Sequence, residues 1–383
     1  MNSMLICTHD DRPQAQTGIR LLLLSLAEHC PDVDVLVSWP IPDPAFISWL
    51  KARPGVQVYV EPSFLGKQWN IKPDLLLHCL TLGYRQVVWI DSDILVARDF
   101  RGLLSDLDDE TVVVAEDFYW AVYTYFGGTA RARLWGLHPG RRLPWTANTG
   151  ILRVTPSHQP LLNAWSRLLT CPAYLRAHRR TWYTRPVHMV GDQDVLTALL
   201  SSRRFSHIPV HFVRRGKEII YNFGPSGYTP GERFGNLTGQ APPFIHCSGP
   251  KPWEAPVKVS LLADPKKYYA RVGLELADYS RLARYYREQL DSDTIAFDLK
   301  TLPARLFCAL AGKRIPLQGL PLALLHGFGR RLRKLFGFNY WPHETANLQP
   351  GEQPDGEAML GPADNRQRVD STVFSGTIRE AGQ

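Results

Sequence analysis

The sequence predicts an α/β protein built on an open, mainly parallel, doubly wound sheet, followed by a helical and basic C-terminal extension. Three observations carry that expectation. Strand-like and helix-like patterns alternate through the first third of the chain; an uncharged β-branched run drives straight into Asp91 and Asp93; and the composition turns basic after Leu302, then acidic from Glu344.

Residues 4–7 read as a strand, 18–29 as an amphipathic helix and 33–38 as a second strand, after which Pro40, Pro42 and Pro44 break the chain. Residues 56–60 follow as a strand, 73–82 as a helix and 86–90 as the strand feeding Asp91. This β-α-β-α-β order joins parallel strands through crossover helices. Residues 112–115 add another strand. Beyond Arg98 the pattern is irregular: 148–154 reads as a turn entering a strand, 159–169 as a helix, and 192–200 as a helix whose first turn carries acidic residues, where the helix dipole favours them. Residues 244–253 form a short strand running into a Pro/Gly-rich loop. Tyr268, Val272, Leu276, Tyr279, Leu282 and Tyr286 recur at helical spacing and predict one helix over 265–290, packed on the preceding domain. No internal repeat is visible.

With 383 residues, 44% hydrophobic and 21% charged, the chain can bury a substantial core in one large or two domains. Its six cysteines are scattered without the close pairs of a zinc ribbon or redox motif, and read as small core residues in a reducing compartment. The N-terminus enters a strand at once, without a basic leader, and no apolar run approaches a bilayer span. A soluble cytoplasmic protein, or one peripheral on the inner membrane surface, is expected.

Formal net charge is +8, and its distribution is uneven. Residues 302–343 hold Arg305, Lys313, Arg314, Arg330, Arg331, Arg333 and Lys334 and no carboxylate. The stretch 330–338 mixes cations with apolar and aromatic residues, a pattern that lies on an anionic membrane surface or closes a domain as a basic helix. Nucleic-acid binding is not expected, because the cations cluster without a recognisable recognition module. From Glu344 on, acidic, Pro, Gly and Gln residues predict a tail without structure, whose removal leaves turnover unchanged. The expected division is 1–257 catalytic, 258–343 helical and basic, and 344–383 tail.

Strand side chains alternate faces, so Asp91 and Asp93 project from one side at a strand end, where open α/β sheets bind ligands. Two hard oxygen donors there suit Mg²⁺ or Mn²⁺, which keep water and substrate phosphate as further ligands. An Asp-Ser-Asp turn that merely caps the strand is the alternative.

VVWIDSDILVARD, ANTGILRV, GDQDVLTALL and IHCSGPKPW occur in this order, spread over about the N-terminal two-thirds. Each resembles a landmark of nucleotide-sugar glycosyltransferases with the GT-A fold, closest to glycosyltransferase family 8, the glycogenin and lipooligosaccharide galactosyltransferase group. The resemblance implies a GT-A, Rossmann-like fold and transfer of a hexose from a UDP-sugar to a hydroxyl of a glycan, lipid-linked sugar or protein, with retention. It also implies that Asp91, Asp93 and His246 ligate Mn²⁺ or Mg²⁺, with Ser92 beside them. Imidazole suits Mn²⁺ better than Mg²⁺. His246 alone would read as an ordinary strand histidine, and the Gly-Pro-Lys-Pro-Trp after it tips the reading toward a ligand.

By the same resemblance Lys251 contacts the diphosphate and stabilises the departing nucleotide, with Gly249 allowing close backbone approach. Asn148 and Gly150 line the sugar pocket, the amide binding hydroxyls and the glycine leaving space. An Asn-Thr-Gly turn is the alternative. Asp192 and Gln193 stand near the transferred sugar, although an acidic helix start is also a capping arrangement. Thr8 and Asp10 follow the first strand, where relatives hold nucleobase and ribose, and Asp10 can accept the uracil imide N–H. Lys72 reaches ribose or phosphate, or is a solvated helix-start lysine. The Trp/Tyr-rich segment 118–145 matches no acceptor pattern.

Two other classes compete. Haloacid-dehalogenase-type phosphatases also begin with a strand and Asp-x-Asp, but need Thr or Val where this chain has Leu95, and give no role to His246 or the Lys-Pro-Trp loop. A non-catalytic sugar-nucleotide or glycan-binding protein would keep the fold, yet all three expected metal ligands are present.

Overall fold

The computed structural model describes residues 4–117, 127–222, 228–237, 241–254, 260–290, 297–336 and 354–361. Through the first third the elements are β1 (Met4–His9), α1 (Gln16–His29), β2 (Asp34–Ser38), α2 (Pro44–Lys51), β3 (Val56–Tyr59), α3 (Lys72–Leu80) and β4 (Gln86–Ile90). There follow β5 (Ile94–Val96), α4 (Arg101–Ser105), β6 (Val112–Glu116), α5 (Gly128–Leu134), β7 (Ala147–Val154), α6 (Gln159–Leu169), α7 (Pro172–His178) and α8 (Asp192–Ser201). The domain closes with β8 (Val210–Val213), β9 (Ile219–Tyr221), α9 (Pro230–Gly235) and β10 (Phe244–His246).

A seven-stranded sheet has the order β3-β2-β1-β4-β7-β6-β8. All its pairings are parallel except those of β7, which runs against β4 and β6. The expected open, mainly parallel sheet is therefore present, with one reversed strand, β7, beside the central β4. β4 is buried along its whole length, which is why residues 87–90 read as an unbroken apolar run rather than an alternating one. Its side chains divide between two cores: Val87 and Trp89 join Leu5, Cys7 and the apolar faces of α3, α6 and α8, while Val88 and Ile90 join Ile6 and α1 on the other side.

A second sheet has the order β5-β10-β9, its first strand following β4 after the Asp91–Asp93 turn. In the antiparallel pairing of β10 with β5, His246 stands opposite Ile94, the residue after Asp93. This register, not sequence proximity, carries the histidine to the carboxylates.

Several local expectations are corrected. Residues 148–150 lie inside β7 rather than in a turn before it, and the register against β6 slips there, from Val114↔Leu152 to Ala115↔Asn148. The proline-rich stretch does not only break the chain: Asp43 accepts from the Phe46 N–H and starts α2. The single helix expected over 265–290 is divided. Ala277 is extended, and the backbone N–H of Tyr279 is taken by the Asn222 side chain, 2.9 Å away. The pieces are α10 (Pro265–Glu275), α11 (Asp278–Ala283) and a 3-10 turn over Arg284–Gln289.

The C-terminal layer continues with α12 (Leu302–Ala311), α13 (Ile315–Gln318) and α14 (Leu320–Leu335). Tyr279, Ala283, Tyr286 and Phe297 pack on Leu21, Leu95 and Ile245, seating this layer on α1 and the small sheet. Among the described residues no helix is long and apolar enough to cross a membrane.

The expectation of an unstructured tail does not hold for residues 354–361, which include α15 (Gly356–Leu360). Leu360 enters the main core, the Gly356 N–H donates to Trp135 O at 2.8 Å, and Glu357 accepts from the His138 N–H at 3.0 Å. The fit is close: a Cβ on Gly356 would meet Trp135 O at 2.4 Å. The rest of that segment lies outside the described residues, as do 118–126 of the Trp/Tyr-rich segment.

Candidate active site

The turn after β4 holds Asp91, Ser92 and Asp93 where the strand leaves the large sheet for the small one. The Asp91 N–H donates to Gly150 O on β7 at 2.9 Å, and Asp93 O accepts from the Cys247 N–H at 2.9 Å, so both carboxylates are set by backbone bonds to flanking strands. His246 Nε2 lies 3.2 Å from Asp93 Oδ1 and 3.8 Å from Asp91 Oδ2. One ligand atom from each residue falls within 4.8 Å of the others, a compact set of two oxygens and one nitrogen. Such a set fits a hard or borderline divalent cation. The ring's other nitrogen, Nδ1, is buried without a hydrogen-bond partner and faces Gly150.

Two lysines balance these carboxylates. Lys72, at the start of α3, is only 3% exposed. Its ammonium lies 3.0 Å from Asp91 Oδ1 and 3.5 Å from Asp192 Oδ2, and donates to Thr149 O and Oγ1. The reading of Lys72 as a solvated helix-start residue is thereby excluded. Burial alone would lower its pKa, but the Asp192 and Asp91 carboxylates outweigh it and hold the ammonium above its ordinary value. Lys251 sits on the Asp93 carboxylate and the Cys247 carbonyl. Burial opposes ionisation of Asp93, yet Lys251 and His246 prevail and keep it well below the usual carboxylate range.

Asp192 and Gln193 open α8, with the Trp165 indole N–H fixing the Asp192 carbonyl at 3.0 Å. Thr149 Oγ1 donates to Asp192 Oδ2 at 2.7 Å, and burial, partly offset by Lys72, raises the Asp192 pKa. Gln193 is held on both sides, accepting from Asn148 Nδ2 and donating to Asp117 Oδ2, each at 3.1 Å. Asp194 takes the capping role instead: it accepts from the Gly191 N–H and pairs with the buried Arg131.

These groups line one cavity of about 610 Å³, within the range of small-molecule sites. Asp10, Ser92, Asn148, Gly249 and Lys251 all face it. Asp10 is closely engaged, receiving Ser92 Oγ at 2.6 Å and a bidentate Arg12. Thr8 and Gly150 do not line the cavity. Thr8 is fully buried within β1, and its neighbour His9 faces the opening. Gly150 leaves room for a protein group: a Cβ there would come within 2.8 Å of His246 Cε1.

Sequence reasoning missed Arg12, Thr149 and Asp117. Arg12 is a near neighbour of Asp10 in a basic chain, and Thr149 sits between two residues already singled out, so adjacency was their only signal. Asp117 carried none, because only the tertiary packing of α8 against the end of β6 brings Gln193 to it.

No protein-family model matches the chain, and no curated protein does. Among solved structures the chain is similar to glycosyltransferases. One is the apo structure of the bifunctional glycosyltransferase WbbM, at 16% identity over 74% of this chain and 51% of that one, TM-score 0.42. Another is the galactosyltransferase LgtC in complex with donor and acceptor sugar analogues, at 14% identity over 75% of this chain and 100% of that one, TM-score 0.44. A third is GlyE of Streptococcus pneumoniae TIGR4, at 13% identity over 79% and 66%, TM-score 0.39. The chain spans about half the length of WbbM. These are likenesses of fold.

Proposed function

We propose that the chain is a metal-dependent glycosyltransferase that moves a hexose from a UDP-sugar to a hydroxyl on a glycan, a glycolipid or a protein, with retention at the anomeric carbon. The observation that supports it most is the convergence of Asp91, Asp93 and His246 at the end of β4, with Lys251 against them. A divalent cation held by these three residues, Mn²⁺ or Mg²⁺, would neutralise the diphosphate of the departing nucleotide.

The chain's own groups supply the remaining chemistry. Lys251 lies on Asp93, so a ligand that satisfies that carboxylate frees its ammonium for the diphosphate oxygens, where negative charge grows as the sugar–phosphate bond breaks. Lys72, at the cavity wall, is held by Asp91, Asp192 and Thr149 and offsets the charge of the two carboxylates. The amides of Asn148 and Gln193, each already oriented, face the cavity and bind sugar hydroxyls. Asp192 is engaged by Lys72 and Thr149, which suits a positioning role better than a nucleophile's. Attack by the acceptor hydroxyl from the leaving-group face then transfers its proton to the departing phosphate oxygen.

Incubation with UDP-glucose, UDP-galactose and UDP-N-acetylglucosamine, with and without Mn²⁺, should release UDP from at least one donor only when the metal is present. Asp93→Asn should abolish Mn²⁺-dependent donor binding in calorimetry, measured below the variant's Tm, which falls because Lys251 loses its carboxylate. Hydrolysis of phosphate monoesters without turnover of any sugar nucleotide would replace this reading with the phosphatase one.

A further inference from the structure

β1 ends at His9, and the segment that follows brings Asp10 and Arg12 to the cavity before a 3-10 turn over Pro13–Ala15. Asp10 is 5% exposed. Its Oδ1 accepts from the Arg12 backbone N–H at 3.1 Å and from Arg12 Nε at 2.9 Å. Its Oδ2 accepts from Arg12 Nη2 at 2.8 Å and from Ser92 Oγ at 2.6 Å. An ionised carboxylate offers about four acceptor positions, and here all are taken. An imide N–H offered by a nucleobase would have to displace a donor that is already seated.

Arg12 is placed differently. Its side chain is 43% exposed, lines the cavity and turns only one edge, Nε and Nη2, to Asp10. The other terminal nitrogen, Nη1, donates to none of the described residues. A bidentate pair of this kind fixes the plane of the guanidinium as well as its position. Ser92 stands between Asp91 and Asp93, so the pair is tied to the carboxylate turn itself. Asp93, Glu254 and Lys251 lie within electrostatic reach of the guanidinium and line the same cavity. An ion pair between two exposed side chains contributes little. Here a buried carboxylate holds a half-exposed cation and presents its free edge.

We infer that Arg12 binds the donor's diphosphate through Nη1, and that Asp10 is the positioning residue that aims it rather than the reader of the nucleobase. The inference rests on the reading of the cavity as a sugar-nucleotide site, and replaces within it the expectation that Asp10 accepts the uracil imide N–H. The chemistry of the group selects the ligand: a guanidinium fork matches phosphate oxygens, and its neighbours Asp93 and Lys251 are the residues that the proposed function turns to the diphosphate. With its acceptor positions filled, Asp10 does not separate a uracil nucleotide, which carries the imide N–H, from a cytosine nucleotide, which lacks it.

The test is calorimetric titration of the full chain with UDP and with CDP in the presence of Mn²⁺, and with Mn²⁺ alone. Arg12→Gln should weaken UDP and CDP by a similar factor, about tenfold or more, the scale of one charged hydrogen bond. Mn²⁺ alone should bind this variant no more weakly than the parent, a result that damage to the carboxylate turn would not give. Arg12→Lys keeps the charge without the fork and should recover part of the affinity. Asp10→Asn should weaken both nucleotides without changing their ratio. Arg12→Gln combined with Asp10→Asn should bind UDP about as Arg12→Gln does, because Asp10 acts through Arg12. Circular dichroism checks each fold, and the two variants at half-exposed Arg12 decide the matter even where Asp10→Asn does not fold. UDP binding by Arg12→Gln equal to the parent's would overturn the inference and leave the proposed function standing. So would an Asp10→Asn variant that loses UDP but keeps CDP, which would return the imide to Asp10. A parent that binds neither nucleotide would overturn the proposed function, and this inference with it.

Discussion

Gly150 lies so close to the imidazole of His246 that a single added methyl group would stand 2.8 Å from Cε1 and 3.0 Å from Nδ1. The ring is 4% exposed and its backbone is fixed in β10 between two strands, so it cannot yield freely. Gly150→Ala should therefore turn Nε2 away from Asp91 and Asp93. The expected result is a loss of Mn²⁺ affinity of about tenfold or more with a much smaller change in Tm, the scale on which disturbed groups behind metal ligands act. Calorimetric titration with Mn²⁺ checks it, and unchanged affinity would show that His246 is not a ligand.

Lys72 supplies the positive charge shared by Asp91 and Asp192 inside the protein. Lys72→Met keeps the length of the side chain but leaves these carboxylates without that charge, a loss of about 3–5 kcal/mol for a broken buried pair. Thermal unfolding should show a drop of several degrees together with loss of UDP release. A variant that unfolds like the parent would mean that another group takes over the charge.

His188 is buried edge-on to Trp135, ring centroids 5.7 Å apart, and neither of its ring nitrogens is hydrogen-bonded. Burial first, and the Arg131 guanidinium second, push its pKa down from 6.5 to about 3. A folded-state value below the ordinary one means that the neutral ring's contribution is complete above about pH 6.5 and is lost as pH falls toward the folded value. His9 and His178, each lowered to about 4, act in the same direction. Asp194 and Asp278, raised by burial to about 6, act in the opposite one. Between about pH 7 and about pH 5 the Tm of His188→Leu should fall less than that of the parent. Parallel curves would show that His188 is not buried in the neutral form.

The docked segment around α15 predicts that truncation after residue 353 is not neutral. It removes Leu360 from the main core and the bonds that Gly356 and Glu357 make with the Trp135–His138 loop. Loss of a buried leucine costs about 2–5 kcal/mol. Both the truncation and Leu360→Asp should lower Tm, and an unchanged Tm would show that the segment does not dock.

Much of this was legible beforehand. The strand feeding Asp91 and the helices before and after it are local patterns, written by apolar periodicity that survives in any compact fold. The single long helix expected over 265–290 failed because Asn222, far away in sequence, takes a backbone N–H that the helix would have used. The tail expectation failed at 354–361 for a related reason: a polar, glycine-rich stretch holds one leucine that finds a place in a distant core.

The chain's own residues determined that two carboxylates would end a buried strand, since alternation and burial are properties of a short segment. Only the tertiary structure decided what those carboxylates meet. The antiparallel register of β10 on β5 brought His246 to Asp93, the slip in β7 left Gly150 beneath the ring, and the packing of α3 buried Lys72 between Asp91 and Asp192. Each of these joins residues distant in sequence, and such encounters are set by the close packing of whole elements, which no local pattern encodes.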